Sequence, residues 1–239
     1  MPSAHAVIEI ERLRFAWPRA AHDCVAIDRL RIAAGSTLFL YGPSGGGKST
    51  LLGLLAGVLV PREGHVSLLG QKWSQLSSAR RDAFRADHLG YIFQQFTLLP
   101  YLSVLDNVLL PCRFSKLRRE RAAQRSGSMQ ADAGSLLSRI GLAEGLWRRQ
   151  AAELSVGQQQ RVAAARALIG TPEVVIADEP TSSLDAPLRD GFMEVLLGEC
   201  RSAGSTLVFV SHDERLAARF DTQVSLASIN RAAPQEVAV

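Results

Sequence analysis

Apolar and polar residues change rhythm several times along this chain, and the changes mark out its elements. Residues 7–13 alternate apolar and charged positions, and residues 30–32 do the same. That period of two belongs to half-buried strands, so an antiparallel layer is expected near the N-terminus. The alternation then gives way to unbroken apolar runs. Residues 36–41 end in a glycine-rich turn, and Ser49-Thr50-Leu51-Leu52 follows with helix-like composition, which reads as strand, loop, helix. Val174-Val175-Ile176-Ala177 precedes Asp178-Glu179-Pro180, and the apolar run 206–210 precedes Ser211-His212-Asp213. Fully apolar strands that each end in polar residues predict a parallel sheet covered on both faces.

Between about residue 98 and residue 160 the strand signals vanish, and residues 133–140 and 158–169 have helical spacing or composition. A helical insertion is expected there. Within it Arg113, Lys116, Arg118, Arg119, Arg121 and Arg125 surround a single Glu120, and Ser126-Gly127-Ser128 reads as a turn. A charge run of this kind is expected to be a solvated helix face, the competing reading being contact with a membrane surface or an acidic partner. No repeat or low-complexity tract is visible, and residues 232–239 read as a frayed tail.

Composition narrows the class. The 239 residues are 47% apolar and 21% charged, with 19 glycines and 10 prolines, the balance of a globular protein of one large or two small domains. Cys24, Cys112 and Cys200 are odd in number and widely spaced, so reduced thiols are expected and a disulfide framework is excluded. The start of the chain lacks a basic segment followed by an apolar stretch, so export is not expected. The most apolar window, residues 51–60, is interrupted by Gly53 and Gly57 and has about half of the roughly 20 residues that a membrane helix requires. The 27 basic against 23 acidic residues make a mild excess spread along the chain, which does not by itself select nucleic acid.

Gly42-Pro43-Ser44-Gly45-Gly46-Gly47-Lys48-Ser49 fits G-x-x-x-x-G-K-[ST] between a buried strand and a helix. Glycines let backbone N–H groups wrap a phosphate chain, the helix start near Lys48 adds partial positive charge, and the lysine reaches the β- and γ-phosphates. Ser49 is left for Mg²⁺. A chance glycine-rich match has odds of about one in a hundred for a chain this long. Asp178 and Glu179, at the end of an apolar strand, supply one carboxylate for the metal and one to orient and deprotonate the attacking water. Ser155, followed three residues later by Gln158, predicts a capping box, and with Gly157 it gives a helix start able to bind an anion.

Glycine loop, Leu-Ser-Val-Gly-Gln-Gln-Gln-Arg, Asp-Glu-Pro-Thr-Ser-Ser-Leu-Asp and Ser-His-Asp, in that order and nearly end to end, resemble the ATP-binding subunit of ABC transporters. The resemblance implies an α/β P-loop NTPase cassette with a mostly parallel core sheet. It implies one domain over 1–239: a core with the antiparallel layer from about 1–93 and 161–230, a helical subdomain at about 94–160, and a tail at 231–239. It also implies a homodimer in which ATP lies between the glycine loop of one protomer, Gly42 to Ser49 with Thr50, and the signature of the other. Ser155 and Gly157, with Gln158, would contact the γ-phosphate across that dimer, and Asp185 would link the two sites. His212 would touch the γ-phosphate and support Glu179, and Gln94 would contact Mg²⁺ and the attacking water. Trp17 best matches the aromatic that stacks on adenine, with Phe15 as competitor. Two positions depart from the family pattern: Val156 stands where glycine is usual in the signature, its side chain expected to point away, and Gly46 replaces the usual loop serine.

Phe93-Gln94-Gln95-Phe96-Thr97-Leu98-Leu99-Pro100 and Asp106-Asn107-Val108-Leu109-Leu110-Pro111 resemble the LolD/MacB group. That resemblance implies ATP and Mg²⁺ as ligands and a permease of MacB/FtsX type as partner. It places the chain peripherally on the cytoplasmic face of a bacterial inner membrane, with the helical insertion as the contact surface. The competing reading is an FtsE-like regulator acting on cell-wall enzymes through a permease-like partner. Nucleic acid is not expected as a partner, because such ATPases usually carry two cassettes or a long coiled coil.

Overall fold

The structure is a computed structural model that describes residues 6–182 and 184–232. Residues 1–5, Ser183 and the expected tail from 233 onward lie outside the described residues. The chain up to Arg85 and the chain from Val208 onward form one compact unit, and Ala86–Leu207 forms another.

In chain order the first unit contains β1 (Ala6–Phe15), β2 (Val25–Ala33), β3 (Thr37–Tyr41), α1 (Lys48–Leu55), β4 (Glu63–Leu68) and β5 (Gln71–Lys72). α2 (Ser78–His88) then leads the chain out of it. β1 lies between β2 and β4, antiparallel to both, with Ile10 opposite Leu30 on one side and Val66 on the other. This is the layer that the alternation predicted: Ile8, Ile10 and Leu13 are buried, while Glu9 and Arg12 are not. Between Glu11 and Arg14 the β1–β4 register shifts, and Gly64 takes φ +72° there. A Cβ on Gly64 would stand 2.1 Å from the Arg12 carbonyl oxygen, so only glycine fits. β3 is buried from Thr37 to Leu40 and feeds directly into the glycine loop and α1. On the far side of α1, the Trp73 indole N–H donates to the Leu55 carbonyl and anchors the helix end.

The second unit contains β6 (Leu89–Ile92), α3 (Val104–Phe114), α4 (Lys116–Ser126), α5 (Met129–Arg139), α6 (Val156–Leu168), β7 (Val174–Asp178) and α7 (Ala186–Ala203). β8 (Thr206–Val210) carries the chain back into the first unit, where β9 (Thr222–Ser225) pairs in parallel with β3 and α8 (Leu226–Ile229) follows. β6 and β7 are also parallel, with Ile92 opposite Ala177. Helices, and no strand among the described residues, occupy the stretch from Val104 to Leu168, as the lost strand signal predicted.

The basic cluster is the expected solvated face only in part: Arg113, Lys116, Arg119 and Arg125 are exposed, whereas Arg118 and Arg121 turn inward. Arg118 on α4 is 2% exposed and donates to the carbonyls of Ile169 (2.7 Å), Ala167 (2.7 Å), Leu89 (3.3 Å) and Arg166 (3.4 Å). Arg121 bonds the Thr171 carbonyl and Glu173, and Arg125 binds both oxygens of the buried Asp132. Burial opposes ionisation of Glu173, yet hydrogen bonds from His88 and Arg121 outweigh it and hold the carboxyl at about 2. Arg118, Arg121 and Arg125 share one helical stripe, which is buried at Arg118 and reaches solvent by Arg125. The Arg118 guanidinium satisfies carbonyls at the end of α6 that have no helical partner.

α6 and β6 touch through backbone. A Cβ on Gly90 would stand 2.2 Å from the Ala167 carbonyl oxygen, the oxygen that Arg118 also binds. Gly90→Ala is therefore expected to cost about 3 kcal/mol, because strand and helix must part. Urea unfolding followed by circular dichroism measures it, and an unchanged midpoint would contradict the close contact.

Candidate functional site

In the first unit the phosphate loop is shaped by its own backbone. Gly45 and Gly47 take φ +75° and +92°, the left-handed region that glycine enters without strain. Gly47 caps α1 with no side-chain bond, and no acidic residue occupies the first turn. The first amides of α1, those of Lys48, Ser49 and Thr50, are thus left to an incoming anion. Lys48 is almost fully buried, and its ammonium donates to the carbonyls of Gly42 (2.8 Å) and Pro43 (3.0 Å). No carboxylate among the described residues neutralises it, so the loop concentrates positive potential. Gly42, Ser44 and Gly46 complete the loop, and Gly46 N–H donates to the Pro43 carbonyl across it.

Two further residues stand by this loop. The amide of Ser211 donates to the Leu40 carbonyl at the end of β3, which sets His212, exposed, beside the strand that leads into the loop. Trp17 follows β1 and is 46% exposed, packed edge to face on Phe15 with ring centroids 5.3 Å apart. The turn after Trp17 ends at Cys24, whose carbonyl would lie 3.2 Å from a Cβ on Gly47 and whose thiol donates to the Phe15 carbonyl at 3.5 Å. Burial raises the pKa of that thiol. Phe15 itself is buried at 7% exposure, so of the two candidate aromatics only Trp17 offers a free face.

In the second unit the parallel register does the placing. Ile92 pairs with Ala177, so Gln94 and Glu179, each two residues further on, leave the carboxyl ends of β6 and β7 at the same level. Asp178 closes β7, and Glu179 adopts φ +45°, a left-handed conformation unusual for a residue other than glycine. The Tyr91 phenol lies close enough for Asp178 to raise its pKa, though burial is the larger cause. Ser155 caps α6: its hydroxyl oxygen accepts from the Gln158 amide (3.4 Å), and the Gln158 side chain accepts from the Ser155 amide (3.0 Å). The capping box predicted from the sequence is present. Gly157 opens onto free space, and Val156 beside it is 50% exposed. Asp185 caps α7 by accepting from the Leu188 amide.

Two residues that sequence reasoning left without a role tie these segments together. Gln160 is 1% exposed and donates to the Pro180 carbonyl at 2.9 Å, so α6 holds the turn that bears Glu179. Asn107, fully buried, accepts from the Leu99 amide and donates to the carbonyls of Leu99, Leu102 and Ser103, fixing the segment between Gln94 and α3. Each lies within a quoted motif, but only burial shows that its amide is spent on backbone.

Taken singly, the Ser49 hydroxyl, the Asp178 carboxylate and the Gln94 amide oxygen are oxygen donors of the kind that Mg²⁺ takes. No group of three or more His, Cys, Asp or Glu among the described residues can cage a metal alone. No helix among them is long and apolar enough to cross a membrane.

Residues 27–182 match the ABC transporter family, ABC_tran. The chain is 39% identical over 227 residues to the uncharacterized ABC transporter ATP-binding protein YbbA of Escherichia coli K12, covering 94% of this chain and 96% of that one. It is 41% identical over 228 residues to the lipoprotein-releasing system ATP-binding protein LolD of Novosphingobium aromaticivorans, covering 92% and 96%. Among solved structures, the ATP-binding cassette MJ0796, a dimer in a post-hydrolysis state bound to ADP and Pi, superposes with a TM-score of 0.77 at 30% identity, covering 95% and 98%. The α/β architecture, the phosphate loop and these matches agree, and the chain belongs to the ABC transporter family as an ATP-binding, ATP-hydrolysing cassette.

Proposed function

We propose that the chain is the ATPase subunit of a LolD/MacB-type exporter, working as a homodimer at the cytoplasmic face of a bacterial inner membrane. It drives a permease of MacB/FtsX type that extracts or exports lipoprotein, peptide or drug-like substrate. The observation that carries this reading is the start of α6. Ser155 is exposed there, and its hydroxyl oxygen accepts the capping bond, which leaves the hydroxyl proton free for an anion from outside the protomer. The LolD relative and the dimeric MJ0796 cassette support the same arrangement.

In this reading Trp17 stacks on adenine, while amides of the loop from Gly42 to Ser49, with Thr50, wrap the phosphates. Lys48 exchanges its two carbonyl partners for phosphate oxygens, a stronger, charge-assisted pairing. Ser49, Gln94 and Asp178 would hold Mg²⁺, which would supply neutralisation of phosphate charge. Ser155 and Gly157 donate to the γ-phosphate held by the partner protomer, and Gln158 keeps Ser155 in its rotamer. Glu179 accepts a proton from the water whose oxygen attacks the γ-phosphorus as the bond to ADP breaks. Gln94 orients that water, His212 contacts the γ-phosphate and supports Glu179, and Asp185 links the paired sites. Residues 94–160 serve as a helical subdomain on a core formed by 1–93 and 161–230, and they meet the permease. Tyr101 and Phe114, 68% and 78% exposed, give that stretch apolar contact area.

Glu179→Gln is expected to bind ATP, to hydrolyse it at roughly a hundredth of the wild-type rate or less, and to elute as an ATP-dependent dimer. Wild-type turnover would remove Glu179 as the base. Lys48→Ala is expected to lose at least about tenfold in ATP affinity by calorimetry. Membranes are expected to retain the chain only when the permease is co-expressed, and pull-down from such extracts identifies the partner. Equal retention without it would contradict the permease assignment.

A further inference from the structure

The turn that carries Gln94 is held only in part by its own backbone bonds. The Phe96 amide donates to the Phe93 carbonyl at 2.9 Å and closes a β-turn with Gln94 and Gln95 as its central residues. The chain then passes through two consecutive left-handed residues, Phe96 at φ +56° and Thr97 at φ +47°. Neither is a residue that favours this region, and Thr97 is β-branched, so the local sequence opposes the conformation. Something outside the turn has to impose it.

Arg166 of α6 does so. Its guanidinium donates to the Phe96 carbonyl (2.5 Å), the Thr97 carbonyl (2.8 Å) and the Thr97 hydroxyl oxygen (3.2 Å), while that hydroxyl donates to the Phe96 carbonyl. No carboxylate among the described residues pairs with Arg166, so its charge is spent on these peptide dipoles. Two guanidinium nitrogens serve the two carbonyls in one fixed plane, a geometry that a single ammonium nitrogen does not reproduce. Arg166 is itself braced, because its own carbonyl accepts from Arg118. It stands eleven residues beyond Ser155 on one unbroken helix, about 16 Å along the axis.

We propose that Arg166 is a positioning residue for ATP hydrolysis: it locks the Gln94 turn to the helix that begins at Ser155. This rests on the function proposed above. There, Ser155 serves the nucleotide of the partner protomer and Gln94 the nucleotide of its own, so Arg166 joins the engagement of one ATP to the placement of the glutamine at the other. The link runs through a rigid helix and a strained turn.

The test is a double-mutant cycle of Arg166→Lys and Gln94→Ala in the full chain, read by steady-state ATPase. Arg166→Lys is expected to lower kcat roughly tenfold while KM for ATP stays within about twofold, because the water is misplaced but the nucleotide is still bound. Gln94→Ala is expected to lose a similar amount, and the double variant to be no slower than the slower single one, since both losses pass through the same side chain. Wild-type kcat in Arg166→Lys, or single losses that multiply in the double variant, would overturn the proposal. If Arg166→Lys fails to fold, Arg166→Gln, which keeps a donor and removes the buried charge, takes its place in the same cycle. Wild-type turnover in Gln94→Ala alone would show instead that the role given to Gln94 fails, and the proposal would fall with it.

Discussion

The chemistry-bearing loops of the second unit depend on buried or half-buried side-chain donors that end on backbone carbonyls. Gln160 reaches the Pro180 carbonyl, Arg118 takes the last carbonyls of α6 together with that of Leu89, and Arg166 takes those of Phe96 and Thr97. Turns and helix ends expose carbonyls that regular structure would have satisfied, and leaving them unpaired in the interior is costly. Each donor therefore removes a penalty and fixes a loop in the same bond. All of them lie on α6 or bind to it, so the helix that opens with the signature serine also sets the geometry behind it.

The local motifs were legible in the sequence because each is specified by short-range rules. The strand into the phosphate loop, the helix start at Lys48, the capping box at Ser155 and the antiparallel layer each follow from spacing or residue type within a few positions. The arginine stripe was not legible. Arg118 and Arg119 look alike in a charge run, yet one is buried and the other exposed, because the carbonyls that receive Arg118 lie 29 to 51 residues away in sequence. The choice between Phe15 and Trp17 was open for the same reason, and burial of Phe15 decides which ring has a free face. The left-handed Phe96, Thr97 and Glu179 break local preference, and such breaks are invisible to propensity.

Backbone strain marks one residue of the proposed reaction, and a half-spent charge marks another. Glu179 is held in a conformation that its own side chain disfavours, and the Lys48 ammonium is bonded, among the described residues, to the carbonyls of Gly42 and Pro43. Neither arrangement favours the folded chain by itself. Both are sustained by the apolar strands that precede them, β7 and β3, whose interiors are buried along nearly their whole length.

Trp17 carries a consequence of another kind. Its exposed face, propped edge-on by Phe15, offers area and polarisability, whereas the phosphate loop offers charge and amide dipoles. Contact through ring area is nearly insensitive to dissolved salt, while attraction through charge weakens as the Debye length shortens. The two ends of a nucleotide held this way answer ionic strength differently. As salt rises, the base end keeps its grip while the phosphate end loosens, and discrimination between nucleosides with one, two or three phosphates narrows.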